Sequence, residues 1–106
     1  MLTDFAEADF ESVLHILTAP LIVRRTAPYI GWGDFDFPGL LREAETMSGG
    51  EGLLVRIAYE LWEAEKTVGL WEIPRQLDAH NFRRVVEALA IAHGRGYRSV
   101  PWEAAA

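Results

Sequence analysis

A chain of 106 residues, half of them apolar, has the size of one domain and enough apolar side chains for a single core. It contains no cysteine, which excludes a disulfide framework, a zinc–thiolate site and a thiol nucleophile and makes the cytoplasm the expected compartment. The net charge of −6 is uneven, because residues 1–65 carry −8 and residues 66–106 carry +2. An acidic protein repels phosphates, so binding to nucleic acid is disfavoured, with the mildly basic second half as a local exception.

No apolar run reaches the roughly 18 residues that a membrane-spanning helix needs, so we expect no membrane partner. The basic residues are nearly all arginine, with Lys66 as the one lysine. This bias indicates a bacterial source with a GC-rich genome.

The first helix is predicted over residues 4–18 and is ended by Pro20. Its apolar positions recur at helical spacing and are Phe10, Val13, Leu14 and Leu17. The short apolar run 21–23 that follows is compatible with a strand or an extended connector. Residues 26–38 contain two prolines, two glycines and alternating aromatics, which predicts a loop anchored on the core by its aromatic rings.

Two helix starts follow. Asp36 is the expected N-cap of a short helix that has Pro38 in its first turn. The strongest helical pattern begins at Ser48 and ends near Glu65, and Ser48 and Glu51 have the three-residue spacing of a capping box. The face of this helix that we expect to be buried comprises Leu54, Ile57, Ala58 and Leu61, with Trp62 as a further candidate.

The last part of the pattern is a short helix followed by a longer one. The longer helix has Asp78 as its N-cap and Gly94 as its C-cap. Helical spacing places Phe82, Val85, Val86 and Leu89 on its inner side and His80, Arg83, Arg84 and Glu87 on its outer side.

Together these elements predict an all-α protein, a compact bundle of four to five short helices with one short strand or arm besides. We expect a single globular domain over residues 1–106, with a helical core at about 4–94 and a C-terminal arm at 95–106. The order over residues 49–94, a helix, a short helix, a tight break and a longer helix, is that of a helix-turn-helix module.

Large aromatic side chains point to a protein partner. Four tryptophans and five phenylalanines are more than one small core requires. Trp32, Trp71 and Trp102 fall in predicted loops or at element ends, where exposed aromatics typically mark a contact surface. We therefore interpret the chain as a small non-enzymatic protein that acts through protein–protein contacts, with a homodimer as the simplest form.

The alternative is a helix-turn-helix DNA-binding regulator. In that interpretation Asn81, Arg83 and Arg84 reach base edges or phosphates, and Arg95 and Arg98 hold the DNA backbone. Few cations are available in a chain of charge −6, whereas dedicated DNA-binding domains carry a basic surface. Protein–protein contact is therefore the favoured interpretation.

A third possibility arises at residues 47–58, MSGGEGLLVRIA. This stretch resembles the signature sequence of ATP-binding cassette ATPases, in which an S-G-G-Q/E tetrapeptide opens a helix. The resemblance implies that Ser48, Gly49 and Gly50 contact the γ-phosphate of a nucleotide held by another subunit, at the positive end of the helix dipole. The chain has neither a phosphate loop nor an Asp-Glu magnesium site, so a capped helix start is the favoured interpretation.

Other catalytic and metal-binding patterns are absent from the sequence. The three histidines, His15, His80 and His93, lack the spacing of a metal pair on one helix turn. No G-x-S-x-G motif surrounds any serine, and the carboxylates on the helices fit solvated faces. We therefore expect no catalytic residues, no metal and no cofactor.

Overall fold

Six α-helices follow one another within residues 4–94, the part of the chain that this computed structural model describes, with side chains from residue 9 onward. The described residues form no β-strand beyond one isolated bridge, so the all-α prediction is confirmed. The helices are Asp4–Leu17 (α1), Val23–Thr26 (α2), Phe37–Ala44 (α3), Gly49–Glu63 (α4), Glu72–Gln76 (α5) and Ala79–His93 (α6), and a 3₁₀ turn spans Ala27–Tyr29. The predicted C-terminal arm, residues 95–106, lies outside the described residues.

The three predicted N-caps are confirmed. Asp36 and Asp78 each accept the backbone N–H three residues further on, at 3.1 and 2.8 Å. Ser48 and Glu51 form the reciprocal capping box, with Ser48 Oγ accepting from Glu51 N at 3.4 Å and Glu51 Oε1 accepting from Ser48 N at 2.9 Å. These bonds satisfy N–H groups that an uncapped helix start leaves without a partner, so each helix begins at a defined residue.

Helix α1 is the centre of the fold, because α4 and α6 both pack along it and α3 packs on α4. One end of the core is aromatic: the ring of Phe35 stacks on Phe10 at 4.9 Å and meets Trp62 edge-on at 5.0 Å. The fully buried aliphatic side chains come from five elements and include Val13, Ile16, Leu17, Ile22, Leu40, Leu53, Leu54, Val55 and Val85. The core is thus assembled from segments far apart in the sequence.

Residues 21–23, predicted as a strand or an extended connector, instead form a turn that leads into α2. The backbone N–H groups of Ile22 and Val23 both bond to the carbonyl of Ala19, at 2.9 Å each. This tight turn buries the side chain of Ile22 in the core, while Leu21 stays about half exposed. A three-residue apolar run has no period that separates these conformations, and packing decides between them.

The predicted loop 26–38 also contains regular structure. It begins with the 3₁₀ turn, and Ile30 and Phe35 then pair as an isolated antiparallel bridge. Between them the Gly31 N–H donates to the Asp34 carbonyl at 2.9 Å, and Gly33 has a φ of 75°, which favours glycine. The result is a short hairpin in which Phe35 points into the core.

Helix α6 presents a different face to the core from the one its apolar residues predicted. The buried positions are Asn81, Val85 and Ala88, whereas Phe82 and Leu89 are 39% and 48% exposed. The helix is thereby turned by roughly 80° from the expected orientation. The physical reason is that α6 packs mainly on α1. In a helix-turn-helix module, its principal neighbours would be α4 and α5.

Candidate protein-interaction site

Two adjacent apolar side chains project from the loop that precedes α5. Leu70 is 82% exposed and Trp71 is 64% exposed. Exposed leucine and tryptophan side by side form a larger apolar surface than the scattered single residues normal on a protein. We call this pair the Leu70–Trp71 site.

The backbone of the site is fixed by the carboxylate of Glu72. Glu72 Oε2 accepts the N–H of Gly69 at 2.8 Å, and Glu72 Oε1 accepts from Arg56 Nη2, in the middle of α4, at 3.2 Å. The backbone bond from Gly69, followed by the bond from Arg56, lowers the pKa of the Glu72 carboxyl from its ordinary value. Glu72 is therefore a charged brace between the site and α4.

Further bonds hold the preceding part of the loop on α4. Glu60 Oε1 accepts the backbone N–H groups of Thr67 and Val68, at 2.8 and 2.9 Å. Thr67 also exchanges bonds with Arg56, since its carbonyl accepts from Arg56 Nη1 at 3.4 Å and its hydroxyl donates to the Arg56 carbonyl at 3.3 Å. The loop is exposed, but its backbone has a defined position.

The indole of Trp71 also has a defined orientation. Its ring lies over Gly69 so closely that a Cβ added there would be 2.6 Å from Trp71 Nε1. On α5, the guanidinium of Arg75 lies over the ring, 6.0 Å from its centroid, at the limit of a cation–π contact. The ring is thus oriented by its own loop and leaves most of its surface to solvent.

Trp32, the second aromatic residue predicted for a partner surface, lies at the tip of the hairpin between Ile30 and Phe35 and is fully exposed, at 104%. It lies in a different loop from Trp71. The third, Trp102, lies outside the described residues. The exposure predicted for Trp32 and Trp71 is confirmed, whereas Leu70 was not singled out from the sequence. The sequence signal that could have indicated the exposure of Leu70 is its position next to Trp71 in a glycine-containing loop.

The three described residues predicted for nucleic-acid binding line one groove but differ in exposure and bonding. Asn81 is only 8% exposed and lies against the core side of α6. Arg84 turns toward α1, where its Nε donates to the His15 carbonyl at 2.5 Å and its Nη2 to Thr18 Oγ1 at 3.2 Å. Arg83 is exposed and pairs with Glu87, with 3.8 Å between Nε and Oε2.

Arg95 and Arg98, the other two residues of that prediction, lie outside the described residues. Arg84 is bonded to α1 and Asn81 is mostly buried, so Arg83 is the exposed member of the described three. DNA binding stays a prediction from the sequence.

The S-G-G-E helix start has a packing explanation. A Cβ at Gly50 would lie 3.0 Å from the carbonyl oxygen of Gln76, and one at Gly49 would lie 3.2 Å from Gln76 Oε1. The end of α5 therefore approaches the first turn of α4 closely at both glycines. Ser48 and Glu51 cap the same turn, and Ser48 N–H is bonded to Glu51. Nucleotide contact at this helix start stays a prediction.

No protein-family model, curated protein or solved structure matches the chain. Among the described helices, none is both long and apolar enough to cross a membrane. Within the part of the chain that the structure describes, no three histidine, aspartate or glutamate side chains come together as a metal site would require.

Proposed function

We propose that this protein acts by binding another protein, and that the Leu70–Trp71 site is the anchor of that contact. The observation that carries the proposal is an exposed Leu-Trp pair on a braced loop, with side chains 82% and 64% exposed. Tryptophan is among the residues that most often dominate binding energy at interfaces, because a single side chain removes a large apolar area from water. An oriented ring also loses less conformational entropy on binding than a mobile one.

The simplest partner is a second copy of this chain, because two-fold dimers are the commonest protein oligomers. A dimer that pairs the two Leu70–Trp71 sites would cover both exposed pairs in one contact. Cytoplasmic location and bacterial source belong to the same proposal and rest on the absence of cysteine and the arginine-rich composition.

Site-specific photo-crosslinking tests the proposal directly. A benzophenone amino acid at position 71 should give one discrete crosslinked product, formed either with a second copy or with another protein of the source cell. The same group at Glu45, an exposed position directly after α3, is the control and should give none.

Affinity for the crosslinked partner provides the second measurement. Trp71→Ala should weaken binding by about 30-fold or more, the effect of a hot-spot residue. Trp32→Ala is the matched control, because it removes an even more exposed indole from another loop. A strictly monomeric protein with no crosslink at position 71 would contradict the proposal, and so would equal losses for the two tryptophan variants.

A further inference from the structure

A groove of about 640 Å³ lies between the turn that joins α1 to α2 and the first half of α6. One wall is formed by Pro20 and the half-exposed Leu21, and the other by α6 from Asp78 to Glu87. That stretch of helix is about 14 Å long, the length of about four residues of extended chain. The groove is formed by different elements from those of the Leu70–Trp71 site.

Asn81 contributes an amide without a partner to this groove. The residue is more than nine-tenths buried, and its backbone N–H is used in capping α6. Its side-chain amide makes none of the hydrogen bonds among the described residues. Every fully buried side-chain nitrogen or oxygen among the described residues has a partner. The unbonded polar atoms of Asn81 are therefore not fully buried, and we infer that they face the groove that the residue lines. An amide with both a donor and an acceptor unused is suited to a peptide group, which offers both.

Arg84 contributes a fixed positive charge. The residue is half-buried, and its guanidinium bonds only to neutral oxygens, those of the His15 carbonyl and the Thr18 hydroxyl. None of the ion pairs among the described residues includes it. These two bonds hold the side chain in place, and its other N–H donors remain available to a ligand. A carboxylate can accept two such N–H groups at once, one on each oxygen.

The acidic residues of the groove are already engaged elsewhere. Asp78 caps α6 at 2.8 Å from Asn81 N. Glu87 bonds to His15 Nε2 at 2.9 Å through Oε1 and pairs with Arg83 through Oε2. Of the two arginines that line the groove, Arg83 is paired with Glu87, whereas Arg84 is in none of the ion pairs among the described residues, so its guanidinium can pair with a carboxylate of a ligand.

We propose that this groove binds a short acidic peptide segment of a partner protein. The carboxylate of an aspartate or glutamate pairs with Arg84, a neighbouring peptide group exchanges hydrogen bonds with Asn81, and an adjacent apolar side chain lies on Leu21. This contact goes beyond the proposed function, since it assigns a second surface and the chemistry of the segment that it recognises.

Nuclear magnetic resonance titration with two matched peptides tests the proposal. Acetyl-Leu-Asp-Leu-amide should shift the side-chain N–H signals of Asn81 and Arg84 in a saturable manner. Acetyl-Leu-Asn-Leu-amide has the same shape without the charge and should bind at least about tenfold more weakly. Sodium acetate and inorganic phosphate are titrated separately, to distinguish a peptide site from a site for a free anion.

Three substitutions should reduce the affinity for the aspartate peptide at least about tenfold. Asn81→Ala removes the amide and Arg84→Gln removes the charge. Leu21→Asp places a negative charge, which repels the aspartate peptide, on an exposed wall of the groove. This variant therefore tests the proposal even if Asn81→Ala or Arg84→Gln fails to melt cooperatively. Arg42→Gln, which removes an exposed arginine from α3, is the control and should leave the affinity unchanged.

Several results would overturn the proposal: no saturable shift, equal affinity for the two peptides, acetate that binds as tightly as the peptide, or phosphate that binds more tightly. The test is also independent of the Leu70–Trp71 site. Trp71→Ala must leave the affinity for the aspartate peptide unchanged. If the crosslink at position 71 is absent while the peptide still binds, the proposed function is refuted and the groove proposal stands.

Discussion

Replacing Gly69 with alanine tests whether the orientation of Trp71, and not merely its presence, supports binding. The added Cβ would be 2.6 Å from Trp71 Nε1 and 3.0 Å from Trp71 Cδ1. Ordinary contacts between such atoms are about 3.5–4.0 Å, so the ring must move by roughly 1 Å and leave its position over residue 69. The backbone at Gly69 has no positive φ, so alanine itself is tolerated there.

The expected effect on binding follows from the lost preorganisation. Ordering one large side chain at an interface costs about 0.5–1.5 kcal/mol, which converts to a loss of roughly 2- to 12-fold in affinity. The free energy of unfolding should change by less than about 1 kcal/mol, because the displaced ring is mostly exposed and alanine reduces the entropy of the unfolded chain.

The measurements are a urea unfolding curve, the affinity for the partner crosslinked at position 71, and the nuclear Overhauser effect between residue 69 and the Trp71 indole N–H. Gly31→Ala is the matched control, since a Cβ there would meet only the Asp34 carbonyl oxygen at an ordinary 3.5 Å. If the Overhauser effect is lost while affinity is unchanged, preorganisation is not the reason that the loop is braced. If the Overhauser effect persists in the variant, the close approach itself is wrong.

Two further predictions concern the folded state. Ser48→Ala should lower the free energy of unfolding by about 1 kcal/mol through loss of the capping box, and the melting temperature by roughly 4–8 °C. If ATP raises the melting temperature of the wild type, the S-G-G-E helix start has a nucleotide role as well. The pKa values of Glu51 and Glu72 lie below the ordinary 4.5, each chiefly because a backbone N–H donates to the carboxylate. Their contribution to stability is therefore complete above pH 4.5 and is lost as pH falls through the lowered pKa values, so Glu72→Gln should make the decline of unfolding free energy in acid shallower than in the wild type. If the unfolding free energy, measured by urea titration from pH 6 to about pH 3, declines equally steeply in both proteins, the bonds of the Glu72 carboxylate do not stabilise the fold.

The sequence predicted the features of this protein that depend on near neighbours. The helix starts at Asp36, Ser48 and Asp78 are caps, which form between residues three positions apart whatever the rest of the chain does. The exposure of Trp32 and Trp71 was also predictable, because each follows or precedes a glycine-containing turn outside the helical patterns. The bonds that fix the backbone of the Trp71 loop were not, since Arg56 and Glu60 lie on another helix.

The orientation of α6 was decided by tertiary structure alone. Its apolar residues span a wide arc, so the sequence permits several buried faces, and contact with α1 selects the one that carries Asn81, Val85 and Ala88. That selection places Arg84 on the carbonyl of His15, 69 positions earlier in the chain. Asn81, Arg83 and Arg84, the described residues predicted for nucleic-acid contact, therefore line a groove beside the end of α1. The reason is that a helix buries the side that its partner covers, and here the partner is distant in sequence.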